Sequence, residues 1–119
     1  MAIRVLAVDD SETMRNMVKQ TLEIAGYEVV LAEDGTDAVE KYKGNKFNLI
    51  ITDINMPLMD GITFIKEIRK IDDAIPILTL TTESEEEMKQ KGRDAGADGW
   101  IVKPFRPAQF LDIIKQILL

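Results

Sequence analysis

Three acidic side chains stand where two short apolar runs stop. Ile3-Arg4-Val5-Leu6-Ala7-Val8 ends in Asp9-Asp10, and Asn48-Leu49-Ile50-Ile51-Thr52 ends in Asp53. If both runs are parallel strands of one sheet, three carboxylates meet at a single sheet edge. Two unit charges roughly 5 Å apart repel by about 3 kcal/mol at an effective dielectric near 20. A grouping that costs stability points to a held cation, to chemistry, or to both. Two more polar groups follow apolar runs in the same way: Thr81-Thr82 after Ile75–Leu80, and Lys103 after Gly99–Val102. Oxygen ligands, a carboxylate nucleophile, a hydroxyl and an ammonium are the parts needed to accept a phosphoryl group. A cation and a lysine neutralise phosphoryl oxygens, and an aspartate attacks phosphorus to give an acyl phosphate. Taken singly, each has a plainer role: the acids as helix caps or turn residues, Thr81 as a cap, Lys103 as a surface lysine. Their recurrence at equivalent ends of successive runs sets them apart.

The chain has neither histidine nor cysteine. Disulfides, thiol chemistry, Ser-His-Asp triads and His- or Cys-ligated metals are therefore excluded. A metal site must be built from oxygen, which favours hard cations such as Mg²⁺, Mn²⁺ or Ca²⁺. If phosphoryl groups pass through a histidine, that histidine belongs to a partner.

The elements that must position these groups follow from the pattern of the rest. Five runs rich in Ile, Val and Leu (Ile3–Val8, Glu28–Ala32, Asn48–Thr52, Ile75–Leu80 and Gly99–Val102) start roughly 20 to 27 residues apart, the length of a βα unit. Most are apolar on consecutive residues, the mark of parallel strands buried on both faces. Helical spacing fills the gaps. Met14, Met17, Val18, Thr21, Leu22 and Ala25 predict a first helix, with Ser11 as N-cap and Gly26 just beyond its end. Ala38, Val39 and Tyr42 predict a shorter one closed by Gly44. A third starts after Gly61 with Ile62, Ile65 and Ile68. Pro107 suits the first turn of the last, which carries Phe110, Leu111, Ile113, Ile114, Ile117 and Leu118. Between Ser84 and Asp94 the only large apolar residue is Met88; taken alone this predicts an exposed helix, and the sharper reading is a helix held weakly enough to shift. The expected fold is a (βα)5 α/β domain, a doubly wound parallel sheet whose ligands sit outside the carboxyl ends of the strands.

The 119 residues suit one domain and leave no room for a second. A net charge of -6 argues against a nucleic-acid binder. No apolar run is long enough to span a membrane, and the N-terminal stretch is no signal peptide, running straight into Asp9-Asp10. A cytoplasmic location is expected.

Asp9-Asp10, the Asp53-Ile54-Asn55-Met56-Pro57 segment with Met59-Asp60-Gly61, Thr81, and Lys103-Pro104-Phe105 together resemble the receiver domain of two-component response regulators. The resemblance covers nearly the whole chain. The Ser11-Glu12-Thr13-Met14-Arg15 start is most like the single-domain chemotaxis regulators, with residues 1–119 as one receiver and no output domain. The resemblance implies a flavodoxin-like strand order 2-1-3-4-5. It makes Asp53 the phosphoacceptor. It implies that Asp10 and Asp53 hold Mg²⁺ (or Mn²⁺) by carboxylates, Asn55 by its backbone carbonyl, and Asp9 directly or through water. It pairs Lys103 with phosphoryl oxygens and gives Thr81 and Trp100 to a switch, Trp100 standing where Tyr or Phe is frequent. Asn55 and Glu83 would tune hydrolysis, Thr82 would narrow access to Asp53, and the Lys103–Pro104 peptide would be cis. Implied partners are a histidine kinase as donor, a downstream target such as a flagellar motor switch, and a phosphatase; a monomer is expected, without nucleic acid or membrane insertion.

Two other classes compete. A Mg²⁺-dependent phosphotransferase or phosphatase of the haloacid-dehalogenase type also uses a strand-end aspartate, but usually carries a second aspartate two residues on, where this chain has Asn55. A nucleotide-binding module would need a glycine-rich phosphate loop, and neither motif occurs.

Overall fold

The computed structural model describes residues 2–119. Strands β1 (Arg4–Val8), β2 (Glu28–Ala32), β3 (Leu49–Thr52), β4 (Ile77–Thr81) and β5 (Gly99–Val102) alternate with helices α1 (Glu12–Ile24), α2 (Gly35–Lys43), α3 (Gly61–Ile71), α4 (Glu86–Ala95) and α5 (Pro107–Leu118). The strands form one parallel sheet in the order β2-β1-β3-β4-β5. The expected doubly wound α/β fold and strand order are both present.

The apolar runs are continuous because successive side chains enter different cores. Leu6, Val8, Ile50 and Ile77 point to one face, where they meet Ala38 of α2, Phe64, Ile65 and Ile68 of α3 and Ala95 of α4. Val5, Ala7, Leu49, Ile51, Leu78 and Leu80 point to the other, against Val18 and Leu22 of α1 and Phe110 and Ile114 of α5. Fully burying a Leu, Ile or Phe contributes about 1.5–3 kcal/mol, so these two layers hold the frame on which the polar strand ends are mounted.

The helix ends match the residues that mark them. Ser11 caps α1 through Met14 N–H at 3.2 Å, and Gly26 follows the helix at φ +95°. Asp34 caps α2 through Asp37 N–H at 2.8 Å, and Gly44 closes it. Asp60 caps α3 through Thr63 N–H at 2.8 Å. Gly61 is therefore the first residue of that helix rather than the one before it. The fourth strand begins two residues later than the apolar run. Ile75 N–H is turned to the Asp72 carboxylate at 3.1 Å, and Pro76 has no N–H to give a ladder.

The fourth helix is anchored at one end. Its C-cap, Gly96, sits at φ +118°. There the Arg69 side chain donates to the Gly96 carbonyl from Nε at 3.1 Å and Nη2 at 2.7 Å, and to the Ile75 carbonyl from Nη1 at 2.7 Å. Met88 and Ala95 add apolar contacts. At the other end Glu85 is the N-cap and its side chain makes no capping bond. The N-terminal end, which faces the polar sheet edge, is thus the less tied of the two by side chains.

Candidate functional site

Register decides which strand ends meet. Val8 pairs with Thr52 across β1 and β3, and Asp53 N–H donates to the Val8 carbonyl at 2.9 Å. Asp9 and Asp53, each one residue past its strand, thus lie side by side. Thr81 pairs with Val102, and Lys103 N–H donates to the Thr81 carbonyl at 2.8 Å. The lysine so placed reaches across β4 and β3. Its Nζ lies 2.7 Å from Asp9 Oδ2 and 3.0 Å from Asp53 Oδ2. Asp9 and Asp53 are buried while Asp10 is exposed, and carboxylate oxygens of all three lie within 4.8 Å of one another.

The other oxygen of each buried acid is held by backbone. Asp9 Oδ1 accepts from Ser11 N–H at 2.9 Å. Asp53 Oδ1 accepts from Ile54 N–H at 2.6 Å. Arg15 Nη1 donates to the Asp9 carbonyl at 2.7 Å, which fixes the peptide between the two neighbouring acids. A Cβ on Gly61 would fall 2.7 Å from Ile54 Cα and on the Asp53 carbonyl. The loop after β3 folds back so tightly that only hydrogen fits there. The positioning roles of Arg15 and Gly61 escaped the sequence reading, although both lie inside its motifs. A glycine directly after the capping Asp60 was the available signal.

Burial opposes charge in this cluster. Asp9 has its pKa raised above the usual carboxylate value, first by burial and further by the Asp53 charge, against the lowering effect of Lys103 and Ser11. Burial also works against the Lys103 ammonium, but its hydrogen bonds to Asp9 and Asp53 outweigh that and hold its pKa above the ordinary lysine value. One cation cannot neutralise three carboxylates, and the cluster carries excess negative charge. The donor set fits a hard divalent ion. All ligand atoms are oxygens, and octahedral Mg²⁺ with ligands at about 2.1 Å puts opposite ligands about 4.2 Å apart. Carboxylate oxygens of all three acids, within 4.8 Å of one another, are close enough to share one such ion.

Thr81 and Trp100 are close in the fold but are not bonded to this cluster. Thr81 is fully buried, and its hydroxyl oxygen accepts from Glu83 N–H at 3.2 Å. Glu83 has two further partners: its carboxylate accepts from Asn55 Nδ2 at 2.9 Å, and its carbonyl accepts from the Trp100 indole N–H at 2.8 Å. Glu83 therefore ties the loop after β4 to the loop after β3 and to β5. Thr82 is exposed. The Lys103–Pro104 peptide bond is cis. The Trp100 ring lies over α4, where a Cβ on Gly92 would come within 2.6 Å of its Cζ3 atom. Gly92 is the notch that seats the ring.

The family model for the response regulator receiver domain matches residues 5–115. Among curated proteins, the chemotaxis protein CheY of Bacillus subtilis is 44% identical over 119 residues, covering 99% of each chain. That of Halobacterium salinarum is 42% identical, covering 99% of this chain and 98% of its own. The crystal structure of the Vibrio cholerae chemotaxis protein CheY4 superposes with a TM-score of 0.96 at 47% identity, covering 99% of this chain and 100% of that one.

Proposed function

This chain belongs to the response regulator receiver domain family, a phosphorylation-activated signalling switch, and on that premise we propose that Asp53 is the phosphoacceptor and that the switch serves chemotaxis. The donor is a histidine kinase, as membership of the family implies, and with no histidine in this chain the phosphohistidine is the donor's own. The bond formed is Asp53 Oδ to phosphorus; the bond broken is phosphorus to the donor imidazole nitrogen, which keeps the electron pair. Asp10, Asp53 and the Asn55 carbonyl, with Asp9 beside them, would hold Mg²⁺, which would neutralise charge on the phosphoryl oxygens. The observation that carries the assignment is the Lys103 ammonium at 3.0 Å from Asp53. It stands where charge accumulates during transfer, and it can follow a phosphoryl oxygen once the carboxylate becomes an ester-like group.

A phosphoryl group adds strong acceptor oxygens next to Thr81. Thr81 then turns its hydroxyl toward them and gives up the Glu83 N–H. Glu83 also carries the Trp100 bond, so releasing the loop frees the ring and the uncapped start of α4. The changed face of α4, β5 and α5 is read by a target protein, with the flagellar motor switch the target that chemotaxis implies. Asn55 and Glu83, joined across the pocket mouth, set how readily water reaches the acyl phosphate, and a phosphatase would act there. The protein is a switch rather than a turnover enzyme. The Asn55 amide, unlike a second aspartate, cannot shuttle protons for repeated hydrolysis. A cytoplasmic, monomeric domain fits these roles. No helix among the described residues is long and apolar enough to cross a membrane.

Intact mass after incubation with Mg²⁺ and acetyl phosphate tests the site. The native chain is expected to gain one acid-labile phosphoryl group. Asp53→Ala and an EDTA-treated sample should gain none. The same gain in Asp53→Ala would refute the assignment.

A further inference from the structure

Asp10 is the exposed member of the three acids, and among the described residues no hydrogen bond or ion pair holds its carboxylate. Asp9 and Asp53 are aimed by Lys103 and by backbone N–H groups. Asp10 has only its own backbone to aim it, and that backbone is held on both sides. Asp9 N–H donates to the Ala32 carbonyl at 3.1 Å, and Ser11 N–H donates to Asp9 Oδ1 at 2.9 Å. The peptide that joins Asp9 to Asp10 turns on one further bond, the 2.7 Å donation from Arg15 Nη1 to the Asp9 carbonyl.

Stability does not account for an arginine in that place. Arg15 is half-buried and borders a small cavity walled by Ala7, Val18, Ile51 and Leu80, where a guanidinium loses hydration. It lies near the N-terminal end of α1, which disfavours a cation through the helix dipole. It bonds the backbone of one acid in a group of three, yet the ion pairs of that group are made by Lys103. Among the described residues Arg15 makes no ion pair, and its guanidinium is spent on a neutral carbonyl. We propose that Arg15 is a positioning residue for the divalent cation: by fixing the Asp9–Asp10 peptide it sets the direction from which Asp10 presents its carboxylate. This rests on the assignment of Asp10 as a ligand. Arg15 acts from behind the site, as groups outside a metal's own ligands orient those ligands.

Charge and geometry predict opposite signs, which makes the inference testable. Removing a positive charge beside the cluster strengthens its attraction for a cation. Releasing the peptide weakens binding. Mn²⁺ serves as the probe, its free ion followed by electron paramagnetic resonance while the full chain is titrated. Arg15→Met keeps an apolar stem and removes the donor; its Kd for Mn²⁺ should rise about tenfold, the low end for an orienting partner because the lost charge works the other way. In an Asp10→Ala background the same substitution should not raise Kd, since no carboxylate remains to be aimed. Arg15→Gln, too short to reach the carbonyl, carries the same expectations and replaces the methionine variant if a urea transition shows that one unfolded. Unchanged or tighter binding by Arg15→Met would overturn the inference, leaving charge as the only effect. So would a tenfold weakening that persists in the Asp10→Ala background, the mark of general damage to the loop. Equal Mn²⁺ binding by the native chain and Asp10→Ala would remove Asp10 from the ligands and overturn the inference at its base.

Discussion

Gly92→Ala sets two effects of opposite sign against each other. In an exposed helix interior, replacing glycine by alanine stabilises by roughly 1 kcal/mol through backbone entropy. Gly92 is buried, and a Cβ there would lie 2.6 Å from Trp100 Cζ3 and 3.0 Å from Cε3, closer than carbon atoms approach. The ring cannot simply slide, because its indole N–H is held by the Glu83 carbonyl at 2.8 Å. Overpacking of this kind costs about 1–3 kcal/mol, and stretching the indole bond adds roughly 0.5–1.5 kcal/mol. The steric terms win, and a net loss of about 1–3 kcal/mol is expected from these terms together. Trp100 is the only tryptophan, so its fluorescence reports both the equilibrium urea transition and the local change. The emission should shift toward the value of a more solvated indole while the midpoint falls. A variant stabilised by about 1 kcal/mol, the helix-propensity gain alone, with native emission would refute the packing of Trp100 on α4.

Gly61→Ala should be worse, because the obstructing atoms are the Asp53 carbonyl and Ile54 Cα rather than a movable side chain; a loss of roughly 2–4 kcal/mol is expected in the same urea assay, together with loss of acetyl phosphate labelling. Tyr42 donates to the Asp72 carboxylate at 2.8 Å, and burial first, then that bond, pushes its pKa up to about 12. Because the folded value lies above the unfolded one, its contribution to stability is fully present below pH about 10 and is lost as pH rises toward about 12. Tyr42→Phe should remove that dependence from the alkaline unfolding curve and remove the high-pH step from the absorbance titration of tyrosinate. Asp72 has its pKa lowered, by the Ala74 N–H and then by Tyr42, so its contribution is present above the ordinary carboxylate value and is lost as pH falls through the depressed one. Asp72→Asn should flatten the acid limb of the stability curve.

Local pattern carried much of the frame. Continuous apolar runs spaced by one βα unit are a direct consequence of strands buried on both faces, so the alternation of Val5 and Leu6 between two cores was implicit before any coordinates. Caps such as Ser11 and the glycines after helices act within one turn and are legible for the same reason. The boundary at Ile77 was not, because a proline inside an apolar run leaves hydropathy unchanged while removing a ladder donor. The fourth helix was read as poorly anchored from its few apolar residues. Its anchor is polar and distant, the Arg69 guanidinium on the Gly96 carbonyl, 27 positions apart, and no periodicity records such a contact.

What the sequence by itself determined is chemical inventory and placement: carboxylate oxygens as the available metal ligands, a lysine and a threonine, each at or just past the end of a strand, and that any phosphohistidine must come from elsewhere. What only the tertiary structure decided is who meets whom. Lys103 and Asp9 are 94 residues apart in the chain and 2.7 Å apart in space. It is Asp9 that is buried against the lysine while Asp10 faces outward, and Thr81 rests on Glu83 rather than in the acidic cluster. Those pairings depend on β1 lying between β2 and β3 and on a register that levels the strand ends. Register and order are settled by the collective packing of two cores, a non-local sum that no short stretch of residues contains.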